Sequence, residues 1–373
     1  MTKPSVLYLV TEPWYFANHR LDHARALLAA GFDVHVGTRR GDRWDELVVA
    51  GCQVHEVKMG RGGGTLRSWF DEIRTVRRLV RSIRPDVVHG VALKPLALTL
   101  SLIPMRRRPA LILSVNGLGI SAAERGLDMR VIRTVIRSAR RLPRVHLLFQ
   151  TRADRSAIVG DRDDGVVIPG VGVDTERFVP LDRADTPPCE VVYLGRAVKS
   201  KGLLDLAAAC ETGQLDDVEL HLYCALDESS PGALSADELE RLQRPSQVIL
   251  HEPTRDAAGV LGRAHAAILP SRAGEGVSKF VLEALACGTP VLLSAESGSG
   301  EVIEAGRTGV VFTAGDADSI RAALAEVAGW SPEHRSEVGA ECRATALEQF
   351  SLDVILPRIV ELHRAAAGIE GRT

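Results

Sequence analysis

The sequence predicts an α/β protein made of two doubly wound domains, and three observations carry that reading. Short β-branched runs alternate with longer amphipathic stretches along almost the whole chain, the pattern of βαβ units around a parallel sheet. The alternation breaks in the polar, Pro- and Gly-rich stretch Pro169–Pro188 and then restarts. The 373 residues suffice for two domains of ordinary size.

Taken in order, the β-branched run Val6–Val10 predicts a strand, the amphipathic Arg20–Ala30 a helix and the alternating Asp33–Thr38 a strand. Trp69–Ile83 places apolar residues at 69, 73, 76, 80 and 83, one face of a helix. Asp86–His89 reads as a buried strand, followed by a helix and then the apolar strand Ala110–Val115. After the break come strand Glu190–Leu194, helix Leu203–Glu211, strands Val218–Tyr223, Val248–His251 and Ala266–Leu269, helix Val277–Cys287 and strand Pro290–Ser294. A last helix, Leu352–Ala367, follows the end of the second domain, and the pattern alone does not fix where it packs. In open parallel sheets ligands bind at the carboxyl ends of strands, so two such domains with facing strand ends would enclose a cleft. Functional residues are therefore expected just after strands.

Composition narrows the classes. With 45% apolar and 25% charged residues and a mean hydropathy of +0.03, disorder and collagen-like structure are excluded. A net charge of −2 and 4% aromatics give no argument for a nucleic-acid partner. That sum conceals an asymmetry: residues 1–180 hold 29 basic and 18 acidic side chains, residues 181–373 hold 17 and 30. Much of the basic excess is patterned. Arg74, Arg77, Arg78, Arg81 and Arg84 recur on one side of the Trp69–Ile83 helix. Arg130, Arg133, Arg137, Arg140, Arg141 and Arg144 repeat the spacing, and Arg106–Arg108 add a triplet. Such stripes fit an ordinary solvated face, and they also fit an anionic membrane surface. The six cysteines lie far apart with no C-x-x-C pair, which fits a reducing cytoplasm. Val6–Val10 is too short for a signal peptide, and Leu96–Ile103 falls far short of the ~20 residues of a membrane span.

The most informative segment runs from Leu269 to Val291. A buried strand ends at Leu269, a loop carries Glu275 and Gly276, and an apolar helix is expected to begin near Val277 with Glu283 two turns inside it. The amides of such a helix start form an anion site, Gly276 lets an anion approach the backbone, and two carboxylates suit sugar or ribose hydroxyls. Singly, Glu275 also fits a dipole-favoured acid at a helix start and Glu283 a surface residue. The second segment, Val191–Gly202, delivers Gly195 and Arg196 to a strand end and Lys201 to the next helix, two cations suited to a diphosphate or to a solvated basic turn. No G-x-x-x-x-G-K-[ST] occurs, so this is not a P-loop.

In the first half, His19 and Arg20 follow the first strand and are expected to face the strand ends, although Asn18 also fits a simple N-cap with Arg20 on the surface. Lys94 follows the strand Asp86–His89 as a candidate cleft cation. Asn116 and Gly117 follow Val115, where Gly117–Ala122 matches a loose G-x-G-x-x-A pattern in the wrong place for a dinucleotide turn. No Cys/His cluster has metal-ligand spacing, no G-x-S-x-G is present, and the aspartates at 161–164 and 316–318 read as solvated turns.

These residues together resemble the family-4 retaining glycosyltransferases of the GT-B fold, two facing Rossmann-like domains. The most specific match is E-x₇-E, Glu275 to Glu283, followed by Ala284–Val291. Gly195-Arg196 with Lys201-Gly202, the linker Pro169–Phe178, and Glu301 with Gly309 add to it. Phe16–Arg20, His89 to Pro95 and Asn116–Gly119 resemble the subgroup that builds capsular, O-antigen and other bacterial surface glycans. The resemblance implies an acceptor-binding domain over residues 1–170 joined by a returning helix over 352–373, and a nucleotide-sugar domain over 171–351. It implies that Arg196 and Lys201 neutralise the donor diphosphate with the amides around Gly276 and Val277, that Glu283 binds the ribose and that Glu275 binds the donor sugar. It further implies a UDP-linked donor as co-substrate with no other cofactor and no obligatory metal. The acceptor would be a lipid-linked or small glycan, and the location cytoplasmic, at the inner face of the membrane. Many members carry His where this chain has Asn116, so either the sugar contact differs or His19 takes part of that role. A UDP-sugar epimerase of the same architecture and a catalytically silent nucleotide-sugar-binding protein are the alternatives.

Overall fold

The computed structural model describes residues 3–60, 65–117, 127–160, 165–183, 186–211, 215–226, 232–272 and 276–369, without the side chains of 127–132. The chain divides into two compact units. Among the described residues, unit 1 takes those within 1–116, 125–171 and 353–373, and unit 2 takes Gly117 and those within 172–352.

Unit 1 runs β1 (Ser5–Leu9), α1 (Pro13–His19), α2 (Leu21–Ala29), β2 (Asp33–Thr38), α3 (Trp44–Val49), β3 (Gln53–Glu56), α4 (Leu66–Ile83), β4 (Val87–Val91), α5 (Leu93–Leu100), β5 (Ala110–Val115), α6 (Leu127–Ala139), β6 (Val145–Phe149), α7 (Arg152–Val159) and β7 (Val166–Val167). Its seven strands are parallel in the order β3-β2-β1-β4-β5-β6-β7, with Val6 opposite Val34 on one side and Val87 on the other. The central strands are buried on both faces, which is why they read as continuous apolar runs. The order reverses between β1 and β4.

Unit 2 runs β8 (Cys189–Arg196), α8 (Leu203–Glu211), β9 (Val218–Ala225), α9 (Ala236–Leu242), β10 (Val248–His251), α10 (Ala257–Arg263), β11 (Ala266–Leu269), α11 (Lys279–Ala286), β12 (Val291–Ser294), β13 (Gly309–Phe312), α12 (Ala317–Ala328) and α13 (Pro332–Thr345). Its six parallel strands lie in the order β10-β9-β8-β11-β12-β13, reversing between β8 and β11. The last helix, α14 (Leu352–Ala367), belongs to unit 1, where Ile355, Ile359, Leu362 and Ala366 join the core made by Val6, Tyr8, Val34 and Ile112. Two parallel, doubly wound sheets are the architecture that the alternating pattern predicts.

Local chemistry explains where elements start. α4 begins at Leu66, earlier than its apolar stripe, because Thr65 Oγ1 accepts from Ser68 N at 3.2 Å as an N-cap. The helix expected over Arg20–Ala30 is α2, and a further helix, α1, precedes it; the two are separated at Arg20, whose φ of −135° is not helical. Its N–H closes α1 on Phe16 O (2.7 Å) and its carbonyl opens α2 by accepting from Ala24 N (2.9 Å). Asn18 accordingly sits inside α1 beside the Arg43 guanidinium and is the N-cap of neither helix. α11 starts at Lys279, two residues after Val277, because Ser278 is extended and its N–H is taken by Ser299 Oγ at 2.9 Å.

Candidate functional site

In each sheet the loops on either side of the reversal point are where a ligand has room, since the following helices diverge to opposite faces there. In unit 2 these are the loop after β8, with Gly195, Arg196 and Lys201, and the loop after β11 that leads into α11. The two loops are fastened together. Arg272 N donates to Ser200 O at 2.9 Å, and the Arg272 guanidinium grips the Asp205 carboxylate with two bonds, the first at 2.8 Å. Gly202, at φ +70°, lies so close to Pro270 O that a Cβ would stand 2.1 Å from it. No other residue lets the loops approach this way.

Arg196 is exposed at the end of β8, and Tyr193 turns back beneath it to donate from its hydroxyl to Arg196 O at 3.0 Å. Lys201 ends a 3₁₀ turn, Lys199–Lys201, in which Lys199 Nζ pairs with Glu238 at 2.9 Å. Gly276 and Val277 are buried beside the start of α11. Glu283, with only 14% of its side chain exposed, lies 3.5 Å from Lys279 Nζ. Burial pushes its carboxyl up, against the pull of Lys279 and Arg177. It is thus a shielded acceptor, not a solvated surface acid. Glu275 falls outside the described residues, as do Leu118, Gly119 and the aspartates at 161–164. Asp316 does act as a turn residue, accepting from Asp318 N and Ser319 N to cap α12.

In unit 1 the corresponding loops follow β1 and β4. Asn116, past the end of β5, accepts from Ser114 Oγ at 3.0 Å and donates from Nδ2 to the Tyr15 hydroxyl at 3.5 Å. The His19 ring lies 4.6 Å from Tyr15. Tyr15 therefore joins Asn116 by a hydrogen bond and His19 by ring contact, and it is a residue that sequence reasoning passed over. Its signal was the i, i+4 spacing to His19. Gly117 is described, with φ +75°. Ala92, between β4 and α5, has φ +73° and ψ 167°, a conformation costly for any residue with a Cβ.

Two expectations in unit 1 are corrected. Arg20 does not present its guanidinium at the strand ends: the break between α1 and α2 buries it to 2% exposure, and burial pulls its pKa down. Lys94 is not an open cation. Its Nζ donates to Glu72 Oε1 at 2.9 Å and to Gly60 O at 3.0 Å, with Trp69 5.2 Å away.

Among the described residues, no group of three or more His, Cys, Asp or Glu side chains is placed to hold a metal ion, and no helix is long and apolar enough to cross a membrane. All six cysteines are buried and unbridged.

Two parallel, doubly wound units, one carrying cation-bearing loops at its reversal point, define a protein of the GT-B class. Residues 188–329 match the family Glycosyl transferases group 1, and residues 5–145 match the family Glycosyl transferase 4-like. The chain belongs to the family-4 glycosyltransferases of the GT-B fold that these describe. It is 24% identical over 217 residues to the putative colanic acid biosynthesis glycosyltransferase WcaL of Salmonella typhimurium, covering 56% of this chain and 53% of that one. The chain spans about half the length of the WcaL relatives it matches. It is 27% identical to the D-inositol 3-phosphate glycosyltransferase of Pseudarthrobacter chlorophenolicus, covering 77% of this chain and 76% of that one. The structure of Anabaena HepE in complex with UDP-glucose superposes with a TM-score of 0.76 at 16% identity, covering 97% of this chain and 99% of that one. That likeness shows the fold.

Proposed function

We propose that the protein is a retaining glycosyltransferase that moves a sugar from a UDP-linked donor to a lipid-linked or small glycan acceptor, in the making of a surface polysaccharide or glycoconjugate. The observation that carries this reading is the reversal point of unit 2, where a loop with two cations is fastened to a loop that leads into the start of α11 and its shielded carboxylate. The WcaL similarity supports the polysaccharide setting, and the UDP-glucose complex of a structure of the same fold supports the donor.

In this reading Arg196 and Lys201 neutralise the donor diphosphate, helped by the backbone at Gly276 and Val277 and the positive end of α11. Glu283 accepts from the ribose hydroxyls and Glu275 from the donor sugar. Charge developing on the departing UDP is stabilised by these fixed cations with no obligatory metal. The acceptor hydroxyl attacks the anomeric carbon from the face the diphosphate leaves, and the leaving phosphate takes its proton, so configuration is retained. Asn116 and His19 meet sugar hydroxyls from unit 1. The setting is the cytoplasm, with the exposed Arg74, Arg78 and Arg81 of α4 resting on an anionic membrane beside the exposed Leu66 and Phe70.

Calorimetry with UDP tests the phosphate assignment: Arg196→Ala and Lys201→Ala are each expected to weaken binding by roughly 10- to 100-fold, and unchanged affinity would sink it. Donor turnover by the wild type, resistant to chelator and lost in Glu275→Ala, is the expected result. Tight UDP binding with no turnover on any donor would favour a silent binding protein, and sugar interconversion without transfer an epimerase.

A further inference from the structure

Unit 2 has a second concave site, away from the loops just described. A groove of about 590 Å³ opens between the stretch 180–183, Gly288 and one face of α13. It lies at the C-terminal end of α11, whereas the donor loops lie at its N-terminal end. Three arginines line it: Arg183, Arg335 and Arg343. None of the three makes an ion pair among the described residues. Arg183 donates to Gly262 O, Cys287 O and Thr289 Oγ1, and Arg343 to Phe178 O, Ala286 O and Thr175 O. These two are therefore braced in place by neutral acceptors, which leave their charge uncompensated.

Arg335 is held least. Its Nη2 reaches Trp330 O at 3.4 Å and Val327 O at 3.5 Å, and its Nε is shielded from solvent with no hydrogen-bond partner. An orphaned buried donor is costly unless something fills the place. Among the described residues the only carboxylate on the lining is Asp182, which is exposed. The three acids of α13 are turned elsewhere, Glu341 to Arg307 at 2.7 Å, Glu337 to His334 at 3.9 Å and Glu333 to Ser331. Burial pulls the Arg183 pKa down, and Arg335 adds a smaller push in the same direction. The walls between the cations are apolar, and Leu181 and Leu347 remain 37% and 43% exposed.

We propose that this groove binds a small organic phosphate, its phosphoryl group taken by Arg335 and Arg183 and its apolar body lying between Leu181 and Leu347. Three uncompensated guanidiniums suit a dianion, and exposed leucines flanking them suit a ligand with an apolar portion. The site is independent of the donor reading, because no residue is shared with it.

The test is calorimetry on the full chain with the donor site filled by saturating UDP, using phenyl phosphate, inorganic phosphate and phenol as probes. Phenyl phosphate is expected to bind saturably, with a dissociation constant of roughly 0.1–1 mM, and phenol not at all. Inorganic phosphate is expected to bind at least about tenfold more weakly than phenyl phosphate. Arg335→Gln, which leaves both braced arginines in place, is expected to cost at least about tenfold in phenyl phosphate affinity while UDP binding and the melting temperature hold. No saturable binding up to about 10 mM, equal binding by Arg335→Gln, or equal affinity for inorganic phosphate would each overturn the proposal.

Discussion

At the scale of single residues, the Lys94–Glu72 pair sorts charge that does chemistry from charge that holds the fold. Glu72 has 7% of its side chain exposed and Lys94 14%, so neither is shielded by water. Glu72 Oε1 accepts from both Lys94 Nζ and Gly60 N, while Oε2 has no partner. Removing the lysine strands a buried carboxylate, which costs far more than an exposed pair is worth. Lys94→Ala is expected to lower the unfolding free energy by about 3 kcal/mol, and adding Glu72→Gln should recover most of it, both read by urea denaturation. Full stability in Lys94→Ala with loss of activity would instead return Lys94 to the site. A sequence lists a lysine after a strand in either case. What it does not list is the acid 22 positions earlier that folding brings against it.

At the scale of elements, what could be read in advance was set by periodicity, and what could not was set by hydrogen bonds to distant groups. Asp33–Thr38, Ala110–Val115, Val248–His251 and Leu352–Ala367 coincide with β2, β5, β10 and α14, because apolar spacing alone defines them. The two-residue β7 carries no period to detect. The start of α11 depends on Ser299, 21 residues away, and the burial of Arg20 on a break in backbone angle. Arg343 is a comparable case: it clamps the linker through Thr175 O and Phe178 O, 168 and 165 positions earlier. The candidate site was legible as residue types at strand ends, whereas Tyr15 and Arg272 were not, since their roles come from partners.

The arginine stripe of α4 shows the same division. Arg77 turns inward to donate to Ser101 O at 2.6 and 3.1 Å, while Arg74, Arg78, Arg81 and Arg84 stay exposed. With Leu66 80% and Phe70 60% exposed on the same helix, α4 has the make-up of an interfacial helix. Binding to anionic vesicles is expected to fall as salt rises and to weaken several-fold in Arg78→Glu/Arg81→Glu. Equal binding to neutral vesicles at low salt would remove the membrane reading.

At the scale of the whole molecule, the two ends of the chain meet in unit 1. His363, on α14, receives the Tyr8 hydroxyl at 3.2 Å and His89 Nδ1 at 3.1 Å, across sequence separations of 355 and 274. Its own Nδ1 donates to Ile359 O at 2.7 Å, which fixes Nε2 as the acceptor for both neighbours. That network works only while His363 is neutral. Burial holds its pKa down to about 4, and burial likewise holds His23 and His89 well below the ordinary value, with Arg20 adding repulsion. The unfolded chain takes up these protons near pH 6.5, so it binds more protons than the folded one between about 6.5 and 4. Stability is therefore complete above about pH 6.5 and falls as the pH drops toward 4, by on the order of 3 kcal/mol from His363 alone. Trp14, Trp44 and Trp69 lie in unit 1 and Trp330 in unit 2, so tryptophan fluorescence during urea denaturation reports mainly on the unit that holds the cluster. The midpoint is expected to be clearly lower at about pH 5 than at about pH 7.5, and His363→Gln, which accepts a hydrogen bond but does not titrate, should shrink that difference. An undiminished acid shift in the variant would place the pH sensitivity elsewhere than in the contact that docks the last helix.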